Sequence, residues 1–365
     1  MKKDCLIYNY AQHYRLGIFK LMDKEIQCDF YFGDKMGDVK KIDYKELKGF
    51  KKELKNISLI SNFYWQKGAL GLLFKKYKRY ILLGEYYCLS TWVFLLLAKL
   101  TSKKVVLWTH GWYGKETKII GFIKKIFFSL ADDILLYGNH AKKLMINEGF
   151  SEDKLHVIYN SLNYNKQIEV RDKLKKANLF SKYFSNNYPV LIFIGRLTKV
   201  KKLNYIIEAQ NKMFNEGFPV NLVIIGDGEE KSSLLNKVEK FDLQDNVWFV
   251  GQLYDEESIA KYIYNSDLCV SPGNVGLTAM HSLVYGTPVI THDNFKNQMP
   301  EFESIEDGIT GTFFKEDNID DLVEKIRLWL EKANRAEIRK SCNNKIDHLF
   351  NPNYQINVIK RVLFK

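Results

Sequence analysis

Phe193-Ile194-Gly195-Arg196-Leu197-Thr198-Lys199-Val200-Lys201 sets an arginine just past a short apolar run and a lysine five positions further on. An arginine fork chelates phosphate oxygens and a lysine adds a point charge, so the pair suits a diphosphate and would stabilise one as it departs. The same two residues also read as solvated charges on a basic protein. In Ser271-Pro272-Gly273-Asn274-Val275-Gly276-Leu277-Thr278 a buried strand runs into a glycine-rich loop, and a helix begins near Gly276. Free N–H groups and the positive dipole end there form an anion seat. Leu277, Thr278 and His281 share one face of that helix, which lets His281 reach ribose hydroxyls one turn below a phosphate; a lone helical histidine is otherwise a structural residue. Gly226-Asp227-Gly228 is a glycine turn at a strand end, but Lys231 stands where a dinucleotide fingerprint needs its third glycine. A tight turn alone explains it as well.

The elements that position these groups alternate between β-branched or aromatic runs and longer stretches of helical period. Strands are expected over 4–9, 28–33, 57–61, 80–84, 104–109, 133–137 and 155–159, and again over 190–194, 220–225, 247–250, 268–270, 288–291 and 312–314. The expected fold class is α/β, with two Rossmann-like doubly wound domains facing a cleft. The first spans 1–165. A polar linker covers 166–188, the second domain 189–348, and a C-terminal helix over 349–365 is expected to pack back on the first. Open α/β sheets bind ligands at the carboxyl ends of their strands, so the chemistry belongs there.

The composition agrees with a globular chain: 365 residues, 46% hydrophobic and 27% charged. Lysine and arginine number 55 against 43 acids, a formal charge of +12, which favours phosphates or anionic lipid. No nucleic-acid-binding module accompanies that charge, so no nucleic-acid partner is expected. The five cysteines, Cys5, Cys28, Cys88, Cys269 and Cys342, are scattered without CxxC spacing, which supports neither a disulfide framework nor a metal site. The first residues lack a signal-peptide core, and the longest apolar run, 88–98, is short of the roughly 20 residues of a membrane span. The expected location is cytoplasmic, with peripheral attachment to the inner face of the cell membrane. That attachment is suggested by Lys67–Tyr80 and Lys115–Leu130, where lysines interleave with apolar residues at roughly helical spacing; a helix packed on its own sheet reads the same way.

Taken together the motifs resemble those of GT-B glycosyltransferases, in particular the retaining family 4. Gly195-Arg196-Leu197 with Lys201 is similar to that family's diphosphate clamp, and Gly226-Asp227-Gly228 to its glycine turn. Phe249-Val250-Gly251-Gln252-Leu253 resembles the segment that holds the base, Gly286-Thr287-Pro288-Val289-Ile290 the strand after the donor helix, and Val157–Asn163 the signature closing the acceptor domain. The resemblance implies a donor site of Gly195, Arg196, Lys201, Gly226, Gly228, Val250, Gln252, Leu253, Asn274, Val275, Gly276, Leu277, Thr278 and His281. It implies a nucleotide-diphosphate sugar as donor substrate, uridine being favoured slightly over guanosine, no further cofactor and no metal. The acceptor would be a glycan or a polyprenyl-diphosphate-linked glycan, in surface polysaccharide or lipopolysaccharide biosynthesis.

One departure stands out. The family carries two glutamates eight positions apart around the donor loop, and Gly273 and His281 occupy those positions here. His281 can still bind ribose, whereas Gly273 has no side chain to offer. Glu301 and Glu303 are the nearby carboxylates, and Asn294, Lys296 and Gln298 add polar groups. Retaining transfer tolerates the loss if the leaving diphosphate itself takes the acceptor proton, with Arg196 and Lys201 stabilising it. His110, in Trp108-Thr109-His110-Gly111, lies at a strand end and is expected to touch the donor sugar or the attacking hydroxyl. Arg15 follows the first strand and either faces the cleft or caps a surface helix. Two other readings stay open: a catalytically silent nucleotide-sugar-binding subunit, and a sugar-nucleotide epimerase.

Overall fold

The computed structural model describes residues 4–35, 39–332 and 334–365, and they form two compact units. One comprises the chain up to Asn163 together with Asn351–Lys365, the other Tyr164–Phe350.

The first unit is built on strands β1 (Asp4–Tyr8), β2 (Asp29–Gly33), β3 (Phe50–Ser58), β4 (Tyr64–Lys67), β5 (Arg79–Leu83), β6 (Lys104–Thr109), β7 (Asp133–Leu136) and β8 (Leu155–Val157). They lie in the order β4-β3-β2-β1-β5-β6-β7-β8, all parallel except β4, which runs antiparallel to β3. Alternate residues feed two cores. Ile7, Tyr80, Leu82, Val105 and Leu107 face one way, and Leu6, Tyr8, Ile81, Val106 and Trp108 the other. Burial on both faces is why these strands read as continuous apolar runs. On the second face the helices Leu16–Ile26 and Pro352–Leu363 pack together, with Ile18, Phe19 and Met22 in one cluster with Ile356, Ile359 and Leu363. Buried Gln355 locks the last helix in place. Its amide donates to the Tyr159 carbonyl at 2.9 Å and accepts from the Ser161 hydroxyl at 2.6 Å.

The second unit holds β9 (Val190–Ile194), β10 (Asn221–Ile225), β11 (Val247–Gly251), β12 (Leu268–Ser271), β13 (Val289–His292) and β14 (Gly311–Phe314), parallel throughout in the order β11-β10-β9-β12-β13-β14. This is the doubly wound 3-2-1-4-5-6 order, whose direction of winding reverses between β9 and β12. Sheet one reverses in the same way between β1 and β5.

Three sequence expectations need correcting. The stretch 166–188 is not a linker. Tyr164–Arg171 is a helix of the second unit, pinned by Arg171 on Asp347 at 2.8 and 3.0 Å and by the Tyr164 hydroxyl on the same carboxylate at 2.9 Å. Its anchors are polar, so its composition mimics a loop. Lys67–Tyr80 is not a basic helix: it is the end of β4, a 3-10 turn over Leu70–Phe74 and the start of β5. Gly68, at φ +94°, breaks the chain direction at its beginning. The strand expected at 57–61 is instead the end of β3, and β4 has no counterpart in the expected strands: β3 is lysine-rich and mostly exposed, which hides its period, and β4 is only four residues long.

Ile359 is fully buried between the last helix and the sheet. Ile359→Ala should therefore lower stability by about 2–5 kcal/mol, read as a drop in the urea midpoint of the first unit's unfolding; an unchanged midpoint would show that this helix is not part of that core.

Candidate functional site

The second unit's site is assembled where β9 and β12 leave the sheet. After β9 the chain passes Gly195 and Arg196 and makes a 3-10 turn, Lys199–Lys201. After β12 it makes the loop 272–276 and enters the helix Leu277–Val284. The two segments are joined backbone to backbone, Gly273 N–H donating to the Lys201 carbonyl at 2.9 Å and Asn274 N–H to that of Val200 at 3.3 Å. The Lys201 ammonium then donates to the Asn274 carbonyl at 2.6 Å and to Asn274 Oδ1 at 2.9 Å. Gly276, the residue before the helix, has φ 53° and ψ −145°, a conformation that glycine adopts without strain. A Cβ there would lie 3.8 Å from Lys201 Nζ. A lysine cation and an open helical N-terminus thus share one small volume, a combination that suits an anion.

Burial lowers the Lys201 pKa; Glu301 pulls it up and Arg196 pushes it down, and the result is about 8. Arg196 itself is exposed. Gly195 and Gly226 touch so closely that a Cβ on Gly226 would meet the Gly195 carbonyl at 1.9 Å, and Gly228 packs equally tightly on Leu197. These glycines let the strand-end turns nest against one another. Val250 lies one residue before the end of β11, and Gln252 and Leu253 follow the strand, exposed and partly exposed.

The two missing glutamates have physical explanations. A Cβ on Gly273 would fall 2.0 Å from the Val200 carbonyl oxygen and 2.6 Å from the Lys201 carbonyl carbon, so the joined loops leave no room for any side chain. At the other position, His281 Nε2 lies 2.8 Å from Glu256 Oε1, at the start of the helix Glu256–Asn265. The Tyr285 hydroxyl donates to that same oxygen at 2.5 Å and Gln167 at 3.2 Å. Burial opposes ionisation of Glu256, but the His281 ring, Tyr285 and Gln167 outweigh it and hold its pKa down to about 2. A carboxylate is present after all, supplied by a different helix. Sequence reading missed Glu256 because nothing within its own helix marks it.

Other expected residues serve the scaffold. Val275 is fully buried, and its N–H donates to Gln298 Oε1 at 2.9 Å. The Gln298 amide donates to Thr291 Oγ1 at 2.8 Å, so Gln298 braces the loop. The Thr278 hydroxyl donates to the Ile194 carbonyl at 2.7 Å, tying the helix to β9. Asn294 donates to Glu316 at 2.6 Å. Glu301 is buried and close enough to influence Lys201, while Glu303 is partly exposed on the same short turn, Pro300–Ser304. Leu277 opens the helix.

In the first unit, Arg15 does not cap a surface helix. It is 5% exposed, its guanidinium 5.2–5.6 Å from the ring centres of Tyr8, Tyr14, Trp108 and Tyr137. His110 packs on Tyr137 with centroids 4.7 Å apart. Burial, reinforced by the charges of Arg15 and Lys124, lowers the His110 pKa to about 4. At neutral pH the ring is an uncharged donor and acceptor, suited to hydroxyls.

This arrangement, with a lysine beside a helix N-terminus at the winding reversal of a parallel sheet, is that of a doubly wound α/β unit. Residues 175–347 match the model of the family glycosyl transferases group 1, so the chain carries a domain of that family. Over its full length it has the GT-B fold. It superposes on a structure of Anabaena Alr3699/HepE in complex with UDP with a TM-score of 0.74, 15% identity and 100% of both chains covered. Among curated proteins it is 25% identical over 238 residues to an uncharacterized 41.2 kDa protein in the cps region of Klebsiella pneumoniae, covering 63% of this chain and 62% of that one. It is 24% identical over 198 residues to the amylovoran biosynthesis glycosyltransferase AmsD of Erwinia amylovora, covering 54% and 50%. The matched stretches thus span about half to three-fifths of these relatives.

Because position 273 faces backbone, Gly273→Ala should cost at least about 2 kcal/mol by forcing the two loops apart. Thermal unfolding of the variant checks this, and a melting temperature within a degree of the wild type would contradict it.

Proposed function

We propose that the chain is a retaining, metal-independent glycosyltransferase that moves a sugar from a nucleotide-diphosphate sugar, UDP being favoured, to a hydroxyl of a glycan or lipid-linked glycan. The observation that carries this reading is the placement of Lys201 Nζ beside the open N-terminus of the helix Leu277–Val284, at the sheet's winding reversal. With Arg196 exposed at the same strand end, three sources of positive potential are available to a diphosphate.

In this mechanism the bond from the anomeric carbon to the diphosphate lengthens into an oxocarbenium-like state. The acceptor hydroxyl attacks from the side the diphosphate leaves, and the departing phosphate oxygen takes its proton. The protein's task is to stabilise charge growing on the diphosphate, which suits cations and N–H dipoles that are already oriented. Neither glutamate is needed for that task. The Glu256–His281 pair is suited to ribose hydroxyls, and neutral His110 to a sugar hydroxyl. The amylovoran relative and the cps-region relative support a role in surface polysaccharide or lipopolysaccharide biosynthesis.

Lys201 supplies the test. Its charge is present below about pH 8 and is lost above it. Calorimetric titration with UDP should show affinity falling as the pH rises past 8. Lys201→Ala should weaken binding roughly 10–100-fold at pH 7 and abolish that dependence. Affinity indifferent to both pH and substitution would overturn the reading. In assays with a panel of UDP-sugars, binding without turnover would identify a silent subunit, and an isomeric UDP-sugar formed without acceptor an epimerase.

A second, compatible reading concerns membranes. No helix among the described residues is long and apolar enough to cross one. The helix Lys118–Ser129, however, leaves Ile119, Phe122, Ile123 and Ile126 uncovered along one stripe, Ile119 and Phe122 being 74% and 66% exposed. Lys115, Lys118 and Lys125 are exposed around it, whereas Lys124 is buried and bonded to Glu116 at 2.6 Å. An apolar stripe ringed by lysines suits peripheral attachment to the inner, anionic face of the cell membrane. Phe122→Ser should cut co-sedimentation with phosphatidylglycerol vesicles several-fold without changing UDP affinity; equal sedimentation would remove this reading.

A further inference from the structure

Sheet one has its own winding reversal, between β1 and β5, and the donor reading makes no use of it. Asn9 follows β1 directly, and Glu85 lies two residues past β5. The β3–β4 hairpin is tied over these strand ends. Gln66 donates to the Tyr8 carbonyl at 3.0 Å and Asn56 to that of Asn9 at 2.8 Å, while Tyr64 N–H donates to the Tyr87 carbonyl at 3.1 Å. Beneath it is an open cavity of about 340 Å³. That is near the lower end of the roughly 300–1,000 Å³ of small-molecule sites, room for a sugar ring and its linkage rather than for a nucleotide.

The lining is chemically specific. Glu85 accepts from the Tyr64 hydroxyl at 2.9 Å and from Asn9 Nδ2 at 3.3 Å. Among the described residues no cation pairs with it. Burial raises its pKa, and hydrogen bonds from Tyr64 and Tyr87 only partly counter this. Asn56, Asn62 and Phe63 complete the wall, and the single lysine of the lining, Lys35, is exposed. A partly buried carboxylate without a cation repels phosphates and uronic acids. With amides and tyrosines beside it, the same carboxylate accepts from sugar hydroxyls while aromatic rings offer an apolar face.

We propose that this hairpin-roofed cavity is a subsite for an uncharged, hydroxyl-rich sugar residue of the acceptor, with Glu85 as its principal hydrogen-bond acceptor. The assignment rests on the glycosyltransferase reading, and it extends that reading by naming the acceptor's chemical class. Saturation-transfer NMR on the full chain with methyl glucosides, galactosides and N-acetylglucosaminides should give ring-proton signals, and methyl glucuronide should give none. Glu85→Gln and Glu85→Ala should each weaken the glycoside signals roughly tenfold or more. UDP affinity, which reads the second unit alone, should stay unchanged in both variants. Three results would overturn the subsite while leaving the donor reading intact: no glycoside signal in a wild type that binds UDP, undiminished signal in Glu85→Ala, or preference for the glucuronide. Failure to bind UDP would instead refute the donor reading.

Discussion

A lysine ammonium held against the positive end of a helix is an unfavourable pairing unless something negative lies between them. In the second unit Lys201 and the helix Leu277–Val284 are brought together by main-chain hydrogen bonds that join residues 200–201 to 273–274, and the Asn274 oxygens satisfy the ammonium in the meantime. Much else follows from that closure. It requires glycine at 273, and it places Glu301 within influence of the cation. It also makes Gln298 a brace for the loop rather than a ligand-binding group. Folding energy from the surrounding sheet holds the two positive poles together, and an anionic ligand of the kind proposed would relieve their repulsion.

The same closure accounts for an unusual distribution of carboxylates. Where the joined loops exclude a side chain, the sequence has none. Where a helix position is occupied by histidine, the acid arrives from a neighbouring helix and is kept ionised by three donors. The carboxylate at this site thus comes from the helix Glu256–Asn265 and not from the helix that carries His281, and a motif search restricted to that second helix would miss it.

How much could be read beforehand depended on how local the determining physics was. Strands 104–109 and 190–194 coincide with their expected limits because they are central, buried on both faces and richly apolar. The donor-loop geometry was legible because glycine spacing and a helix start are properties of a dozen consecutive residues. The β3–β4 hairpin was not legible: FKKELKNIS is charged and mostly exposed, and its roofing role exists only through Asn56 and Gln66 reaching the end of β1. The helix Tyr164–Arg171 reads as a linker because its anchors are polar and ionic. Glu85, Glu256 and the aromatic cage of Arg15 owe their character to partners far away in sequence, which periodicity cannot reveal.

The helix Pro352–Leu363 belongs to the first unit although it follows the whole of the second in sequence. The part of the cover over Ile18, Phe19 and Met22 that Ile356, Ile359 and Leu363 supply is therefore missing while the intervening 187 residues, Tyr164–Phe350, are being translated. The first unit is thus completed only after the second has been made, a late closure that leaves apolar surface exposed in the interval.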